Sequence, residues 1–371
     1  MILEELRLIN FRLHTNTKLK FSDKINYIVG GNGQGKTSIL EAIYYICTSK
    51  GLNQNNDSEA VNFNSNSFEI KGVFSDLTKN ESRLFYSAEN KKKVLYLDEK
   101  QVFRISEFIG KFPVVTITQS DHEITAGSPA ERRKFVDSVI SQASNTYLKT
   151  LVDYNKILKN RAALLNQIKE TGRKDYIDEL DSWNESLINN GTYLLKNRNQ
   201  FVEEFKLYLD NAYKNILDEN EKPGIEYKTL CSSIETEEIK NIFQKKLAEI
   251  KKEEIIRGVN LIGPHRDDFI FYINNLEIKK YGSQGQNKTF QVALRFGEFF
   301  YLKDKLGKTP VFLMDDVFGE LDTQRSERIS SFLNKTGQTF ITMTDFTRFG
   351  ELYKSSEDKL IYVKKGEVSY A

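Results

Sequence analysis

Residues 30–38, Gly30-Gly31-Asn32-Gly33-Gln34-Gly35-Lys36-Thr37-Ser38, carry the densest chemistry in the chain. Gly30, Gly35, Lys36 and Thr37 stand at the GxxxxGK[ST] spacing of a phosphate-binding loop. Glycines let backbone N–H groups turn inward onto phosphate oxygens without Cβ clashes. Lys36 is placed to reach the β- and γ-phosphates, and the Thr37 hydroxyl to sit on Mg²⁺. Ile25–Val29 ahead of the loop reads as a strand. Ile39, Ile43 and Ile46 behind it fall on one helical face. The helix dipole then adds to the attraction for an anion. A glycine-rich turn that binds nothing needs neither the Lys-Thr pair nor this flanking, so a nucleoside triphosphate is the expected ligand.

A second centre lies near the other end. The apolar run Pro310–Met314 ends in Asp315 and Asp316, and the carboxyl ends of strands are where open α/β sheets hold ligands. Asp315 suits holding Mg²⁺. Asp316 points elsewhere and suits a general base toward an attacking water. Ser283-Gln284-Gly285-Gln286 precedes a helix and offers a hydroxyl and amides to an anion. One chain with one phosphate loop has no use for a second anion site; two copies head to tail do. The plainer reading of SQGQ is an ordinary helix cap. Three more polar groups follow strands or cap a helix: Gln119 after 113–118, Asp322 in GELD (319–322), and Thr344 after 338–343. Gln119 could face the γ-phosphate across Mg²⁺, and Thr344 could sense it.

Composition narrows the class. A chain of 371 residues can bury a large core and form two lobes. The net charge of +2 confines any nucleic-acid surface to a local patch. Cys47 and Cys231, with no CxxC, indicate neither a disulfide framework nor a zinc site. His14, His122 and His265 are too scattered for a metal site. No run approaches the ~18 apolar residues of a membrane span, and the chain does not open on a signal peptide. A cytoplasmic protein with no membrane association is expected.

The elements that must position these groups follow from periodicity. Residues 2–11 read as a strand, with Lys18–Phe21 returning beside it. Runs at 68–75, 82–88, 93–97 and 113–118 predict an antiparallel layer beside the nucleotide site. Ser128-Pro129-Ala130-Glu131 is a capping box with proline at the first helical position. From there to Gly258 the chain reads as mostly helical. Leu148, Leu151, Asn155, Leu158, Ala162 and Leu165 form a short heptad seam with one polar member. After a break at Thr171-Gly172-Arg173, a second long helix completes an antiparallel hairpin. A plain helical bundle fits this region equally well. The α/β pattern returns with a strand at 269–273, a second at 276–281 and a helix to Phe299. The fold class expected is an α/β P-loop ATPase head assembled from both chain ends. Its N-terminal half is 1–125, its C-terminal half is 258–371, and a helical lobe at 126–257 is inserted between them.

The order of these groups is that of ABC-type ATPases and their SMC-like branch. Within that class the chain resembles the RecF family. The residues that carry the likeness are LRLINFR (6–12), GGNGQGKT (30–37), GSPAERRKFVD (127–137), GPHRDD (263–268), YGSQGQ (281–286), VFLMDDVFGELD (311–322) and TMTD (342–345). It departs from the family pattern at Gln119-Ser120, at Asn287-Lys288 and at Gly319. The resemblance implies ATP and Mg²⁺ as cofactors and slow, DNA-stimulated hydrolysis. It also implies an ATP-dependent head-to-tail homodimer, with Ser283 of one copy facing the phosphates at Lys36 of the other. The implied partners are double-stranded and gapped DNA, RecR and RecO, with RecA downstream. Backbone binding to DNA needs several cations on one face. Arg132, Arg133, Lys134, Lys156, Lys159 and Arg161 are the residues expected to supply them, against the alternative of solvated helix faces. His265 and Arg266, beside Asp267 and Asp268, either couple the nucleotide site to the helical lobe or staple the lobes together. Two rival readings remain at this stage, a non-hydrolysing ATP-gated DNA clamp and a transporter ATPase subunit.

Overall fold

The computed structural model describes residues 1–52, 56–173, 175–217, 221–318, 323–346 and 355–370. Its elements run β1 (Ile2–Phe11), β2 (His14–Lys20), β3 (Ile25–Val29), α1 (Lys36–Thr48), β4 (Ser67–Ser75), β5 (Lys79–Ser87), β6 (Lys92–Leu97), β7 (Lys100–Gln101) and β8 (Val114–Ile117). There follow α2 (His122–Ala126), α3 (Pro129–Ala143), α4 (Asn145–Thr171), α5 (Asp175–Ile216), β9 (Pro223–Lys228) and α6 (Thr236–Arg257). The chain continues through β10 (Asp268–Ile273), β11 (Leu276–Glu277), α7 (Ile278–Tyr281) and α8 (Gln284–Leu306). It ends with β12 (Val311–Asp315), α9 (Thr323–Leu333), β13 (Thr339–Met343), β14 (Lys359–Lys364) and β15 (Glu367–Tyr370). Two compact units result. One comprises Met1–Asp121, Asn211–Glu219 and Gln291–Ala371, the other His122–Asp210 and Asn220–Phe290. Residues 258–290, read from the sequence as part of the ATPase head, fall in the unit that holds the helices.

The first unit is built on two six-stranded sheets. One has the order β2-β1-β4-β5-β6-β7 and is antiparallel. The other has the order β15-β14-β3-β13-β12-β8, parallel from β14 to β8, with β15 antiparallel at its edge. In β4 every second residue is buried, Phe68, Ile70, Gly72 and Phe74, as one covered face of a sheet requires. In β3 all five residues are buried, as a parallel strand covered on both faces requires. Helix α1 supplies the cover common to both sheets. Ile39, Leu40, Ile43, Ile46 and Cys47 share one apolar cluster with Leu6, Phe68 and Leu84 of the first sheet and Ile28, Leu313 and Phe340 of the second. The expected antiparallel layer is therefore correct for three of its four runs. The fourth, 113–118, instead pairs in parallel with β12. A short, wholly apolar run reads alike in either setting, and its partner, almost two hundred residues later, decides.

In the second unit α4 and α5 form the expected antiparallel hairpin about Gly172, which ends α4 in the left-handed conformation. Arg161 meets Asn184 near the turn, and Tyr147 meets Arg198 farther from it. The seam is shifted by one residue from the one read in the sequence. The buried side chains of α4 are Tyr147, Tyr154, Ile157, Arg161, Leu164, Leu165 and Ile168, and Asn155 is exposed. Two tyrosines and an arginine share the inner stripe with Ile157, Leu164, Leu165 and Ile168. The strand read at 276–281 stops after Glu277, and α7 takes over. Ser128 does cap α3 with Pro129 in the first turn, but its side chain accepts no capping hydrogen bond. Glu131 pairs instead with Lys134.

The two sequence stretches GSPAERR and GPHRDD meet within this unit. Arg132 grips Asp268 with Nε and Nη2 at 2.8 and 2.9 Å, and Arg133 Nη1 donates to the Asp267 carbonyl at 2.6 Å. Arg198 holds Asp137 in the same forked way and donates to the Pro264 carbonyl. His265 accepts or donates at Nδ1 with the Tyr154 hydroxyl 2.9 Å away, and burial pushes its pKa down to about 4. All of these partners belong to one unit, so they form a staple internal to it. Arg161 is likewise internal: fully buried, it pairs with Glu254 at 2.5 Å and with Asn260 and Asn184. Arg161→Ala should strand the Glu254 carboxylate without a partner and lower unfolding free energy by about 3–5 kcal/mol. Equilibrium urea denaturation measures it, and an unchanged midpoint would refute the structural role.

Candidate nucleotide site

The phosphate loop leaves β3 and enters α1 with two close approaches that exclude a side chain. A Cβ on Gly30 would lie 2.3 Å from the Val363 carbonyl oxygen. Gly35 has φ 108°, a left-handed value that glycine alone adopts easily, and it is the N-cap of α1. That helix starts with no side-chain cap and no acidic residue in its first turn. Its leading N–H groups are therefore kept for an anion rather than spent on a carboxylate or hydroxyl. Lys36 is buried, and its Nζ donates to the Gly31 carbonyl at 2.9 Å, folded back along the loop. Burial lowers the Lys36 pKa, while Asp316 and Asp315 work to raise it. The cation is thus held on a backbone carbonyl in a poorly solvated place, within the field of two carboxylates, where a phosphate can replace the carbonyl as partner.

The parallel register brings the other groups to this loop. β13 pairs with β3 on one side and β12 on the other, with Thr342 opposite both Ile28 and Asp315. Thr37 Oγ1 donates to Asp315 Oδ1 at 2.9 Å, and Thr342 Oγ1 donates to the same oxygen at 2.6 Å. The Asp316 N–H donates in turn to Thr342 Oγ1 at 3.0 Å. Asp316 itself has φ 51°, an unusual value for a non-glycine residue, which turns it out of line with the strand. A hydroxyl and a carboxylate oxygen side by side make an all-oxygen donor set, which suits Mg²⁺ completed by water and phosphate. Among the described residues no group of three His, Cys, Asp or Glu could hold a metal unaided. Thr342 is the residue that touches both acids. Thr344, singled out from the sequence, lies past the end of β13 and is exposed.

Gln119 follows β8, the next strand beyond β12, and is exposed in a short 3-10 turn. That turn is anchored by Asp121, which takes Arg295 Nη2 at 2.7 Å and Nε at 3.1 Å, while Arg295 Nη1 donates to Glu298 at 2.8 Å. Ser283 belongs to the second unit. Its hydroxyl accepts the Gln286 N–H at 3.1 Å, and the Gln286 side chain accepts the Ser283 N–H at 2.9 Å. SQGQ is thus a reciprocal helix cap at α8, the plainer of the two readings. This bond uses the Ser283 oxygen as acceptor and leaves its O–H as a donor. Asp322 and the rest of GELD lie outside the described residues.

The six expected DNA contacts separate. Arg132 and Arg161 are buried in ion pairs and are corrected to structural residues, because each compensates a buried or half-buried carboxylate. Arg133 is half-buried on a backbone carbonyl. Lys134, Lys156 and Lys159 are exposed. Two residues of the site are weakly marked in the sequence. Thr342 stands in the TMTD stretch, but a threonine inside a strand is ordinary, and Thr344 beyond it reads as the sensor. His14 was set aside as a scattered histidine, yet its ring lies on the phosphate loop, 3.1 Å from the Gly35 carbonyl. Its nearness to Arg12 of LRLINFR was the only signal; Arg12 grips Glu41 of α1 with Nε and Nη2, both at 2.9 Å.

With this geometry in place, comparison with known proteins is informative. Residues 2–367 match the family model of the RecF/RecN/SMC N-terminal domain. The DNA replication and repair protein RecF of Chloroherpeton thalassium is 40% identical over 360 residues, which cover 95% of this chain and 97% of that one. RecF of Halothermothrix orenii is 36% identical over 375 residues, covering 100% and 99%. Among solved structures, the recombination mediator protein RecF with ATPrS, of the RecFOR pathway, superposes with a TM-score of 0.89 at 31% identity, covering 100% of this chain and 98% of that one. An Smc head domain from Pyrococcus furiosus shares the fold, with a TM-score of 0.57 at 15% identity.

Thr342→Val keeps the shape of the side chain and removes the hydroxyl that serves Asp315 and Asp316. It should cost about 1–2 kcal/mol of stability, since the half-buried Asp316 N–H loses its acceptor. The same variant should weaken Mg²⁺-ATP binding. Urea unfolding without nucleotide and a titration with it read the two effects, and a variant indistinguishable from wild type in both would refute the role.

Proposed function

We propose that this chain, which belongs to the RecF family of DNA replication and repair proteins, binds ATP at residues 30–38 and uses it to hold DNA. One observation carries the reading: Thr37, Asp315, Thr342 and the Asp316 amide form one hydrogen-bonded row at the ends of three adjacent parallel strands, beside Lys36. In this reading the amides of Gly31–Ser38 and the Lys36 ammonium hold the β- and γ-phosphates. Thr37 and Asp315 would hold Mg²⁺, which supplies neutralising charge to those phosphates. Asp316, turned out of the strand, orients and deprotonates the attacking water, with Gln119 at the neighbouring strand end as its second support. Hydrolysis of this kind is slow, because an Asp is a weak base.

The site is completed by a second copy. Ser283 keeps a free hydroxyl proton at an exposed helix N-terminus, which suits donation to a γ-phosphate oxygen. ATP then closes a head-to-tail dimer, and hydrolysis opens it. Asp322 and Thr344 are proposed at the rim, where the two copies meet. The proposed nucleotide site draws on both ends of the chain, residues 30–38 and Asp315 to Thr342, with the mostly helical stretch 126–257 separating them in sequence. Arg133, Lys134, Lys156 and Lys159 are the cations left to meet the backbone of double-stranded DNA near gaps. RecR and RecO are the proposed partners, with RecA loaded downstream, in the cytoplasm. No helix of the described residues is long and apolar enough to cross a membrane. Membership of this family sets aside the transporter-subunit reading. The non-hydrolysing clamp differs from the favoured reading only in turnover.

Lys36→Ala should reduce ATP affinity by roughly tenfold to a hundredfold, the loss of a charge-assisted contact. ATP-dependent retention on gapped DNA should fall with it. Retention unchanged in the variant would refute the site. Phosphate release by wild type, with and without gapped DNA, separates enzyme from clamp: stimulation supports hydrolysis, and none at any DNA concentration leaves the clamp.

A further inference from the structure

His14 opens β2 and is fully buried. Its ring joins two glycine carbonyls, with Nε2 3.1 Å from Gly35 O and Nδ1 2.9 Å from Gly366 O. The Thr17 hydroxyl lies 3.1 Å from Nδ1 and 3.2 Å from Gly366 O. Gly366, in the turn between β14 and β15, donates its N–H to Gln34 O at 3.0 Å, and the Lys365 N–H donates to Gln34 Oε1 at 2.8 Å. The two residues that precede Lys36 are thus held by the C-terminal hairpin through Gln34 and by the imidazole through Gly35.

We propose that His14 is a positioning residue for the nucleotide: as its Nε2–H tautomer it donates to Gly35 O and so sets the Lys36 amide toward the phosphates. The Gly35 carbonyl and the Lys36 N–H belong to one planar peptide unit and point in opposite directions, so a donor that fixes the oxygen fixes the N–H. Gly35 has no side chain to restrain it, and its φ of 108° lies where glycine is otherwise free to move. A loop built of glycines for close approach needs such a restraint from outside. This inference rests on the ATP-binding reading above.

Thr17 selects the tautomer. A neutral imidazole carries one N–H, and this one faces two carbonyls. The Thr17 hydroxyl has one proton and two acceptors in reach, Nδ1 at 3.1 Å and Gly366 O at 3.2 Å; given to Nδ1, the nearer, it places the ring proton on Nε2, toward Gly35. Without that hydroxyl, Nδ1–H to Gly366 O is the better arrangement, and the Nε2 lone pair is left against Gly35 O. Burial lowers the His14 pKa, opposed by the Gly35 and Gly366 hydrogen bonds, so the neutral ring prevails near pH 7. Among the described residues, the groups hydrogen-bonded to the ring are Thr17 of β2, the Gly35 carbonyl of the loop and the Gly366 carbonyl of the turn, none of them titratable. Acidification protonates both nitrogens and restores the Gly35 donor whatever occupies position 17.

The test is ATP affinity in the presence of Mg²⁺, by calorimetric titration of the full chain, with Tm of each protein recorded without nucleotide. His14→Gln places an amide near the Nε2 position and should bind within about threefold of wild type. His14→Asn reaches only the Nδ1 position and should bind about tenfold more weakly, the loss of one hydrogen bond. Thr17→Val, which keeps the ring and the side-chain shape, should bind about tenfold more weakly near pH 7.5. Its gap to wild type should narrow as the pH is lowered. Equal affinity in Gln and Asn variants overturns the proposal, as does a Thr17→Val loss that ignores pH, or losses that merely follow Tm. Thr17→Val keeps the test decisive should the His14 variants not fold. Wild type that binds no ATP refutes the nucleotide site itself; wild type that binds, with every variant equal to it, refutes only the role of His14.

Discussion

The hydrogen bond from the Thr37 hydroxyl to the Asp315 carboxylate joins residues 278 positions apart, and the rest of the nucleotide-binding unit follows from the need to make it. Parallel strands cannot be joined by a tight turn, so β3 and β12 can lie near each other only if the chain leaves and returns. Here the excursion contains a whole antiparallel sheet and a whole helical unit. The entropy of closing so long a loop grows only with the logarithm of its length, so this arrangement costs little more than a short crossover would. What holds it is the strand register. With β13 between β3 and β12, the Thr342 hydroxyl falls beside both acids, and the loop beyond β3 faces the carboxylates beyond β12.

The second unit is organised by arginines with fixed partners. Arg132 on Asp268, Arg198 on Asp137 and Arg161 on Glu254 are three forked or closely paired contacts, each with the arginine nearly or wholly buried. Buried pairs of this kind specify geometry more than they add stability, because removing either member strands a charge. That accounts for the specific sequences around them. GSPAERR supplies cations and GPHRDD supplies a carboxylate and carbonyls, and each stretch is explained by the other.

Much of this was legible in the sequence, for definite reasons. The phosphate loop and the acidic strand are local patterns whose chemistry requires fixed spacing, and the structure brings Lys36, Thr37, Asp315 and Asp316 together. The parts that misled are those settled by distant partners. Val114–Ile117 is apolar and β-branched, and only pairing with β12 shows that it is parallel. The heptad seam followed the leucines of α4, whereas Tyr154 and Arg161 are inside because His265, Asn260 and Glu254 are there to satisfy them. Arg132 and Arg161 looked like surface cations because their carboxylates lie far along the chain. His14 gave no sign of its place beyond its nearness to Arg12, since its partners are two backbone carbonyls, which every residue has, and one threonine hydroxyl.

In the proposed reading the loop at 30–38 supplies donors to a triphosphate and the Ser283 hydroxyl of a second copy supplies one more at the γ-phosphate. On the function proposed here, ATP would be the contact between two copies, and its cleavage the event that separates them. The direct test is the mass of the protein in solution by light scattering, with and without Mg²⁺-ATP, for wild type, Asp316→Asn and Ser283→Arg. The account predicts monomers without ATP, a dimer that persists in Asp316→Asn once ATP is added, and Ser283→Arg monomeric while still binding ATP. A dimer of the same strength without ATP, or one that Ser283→Arg leaves intact, would contradict it.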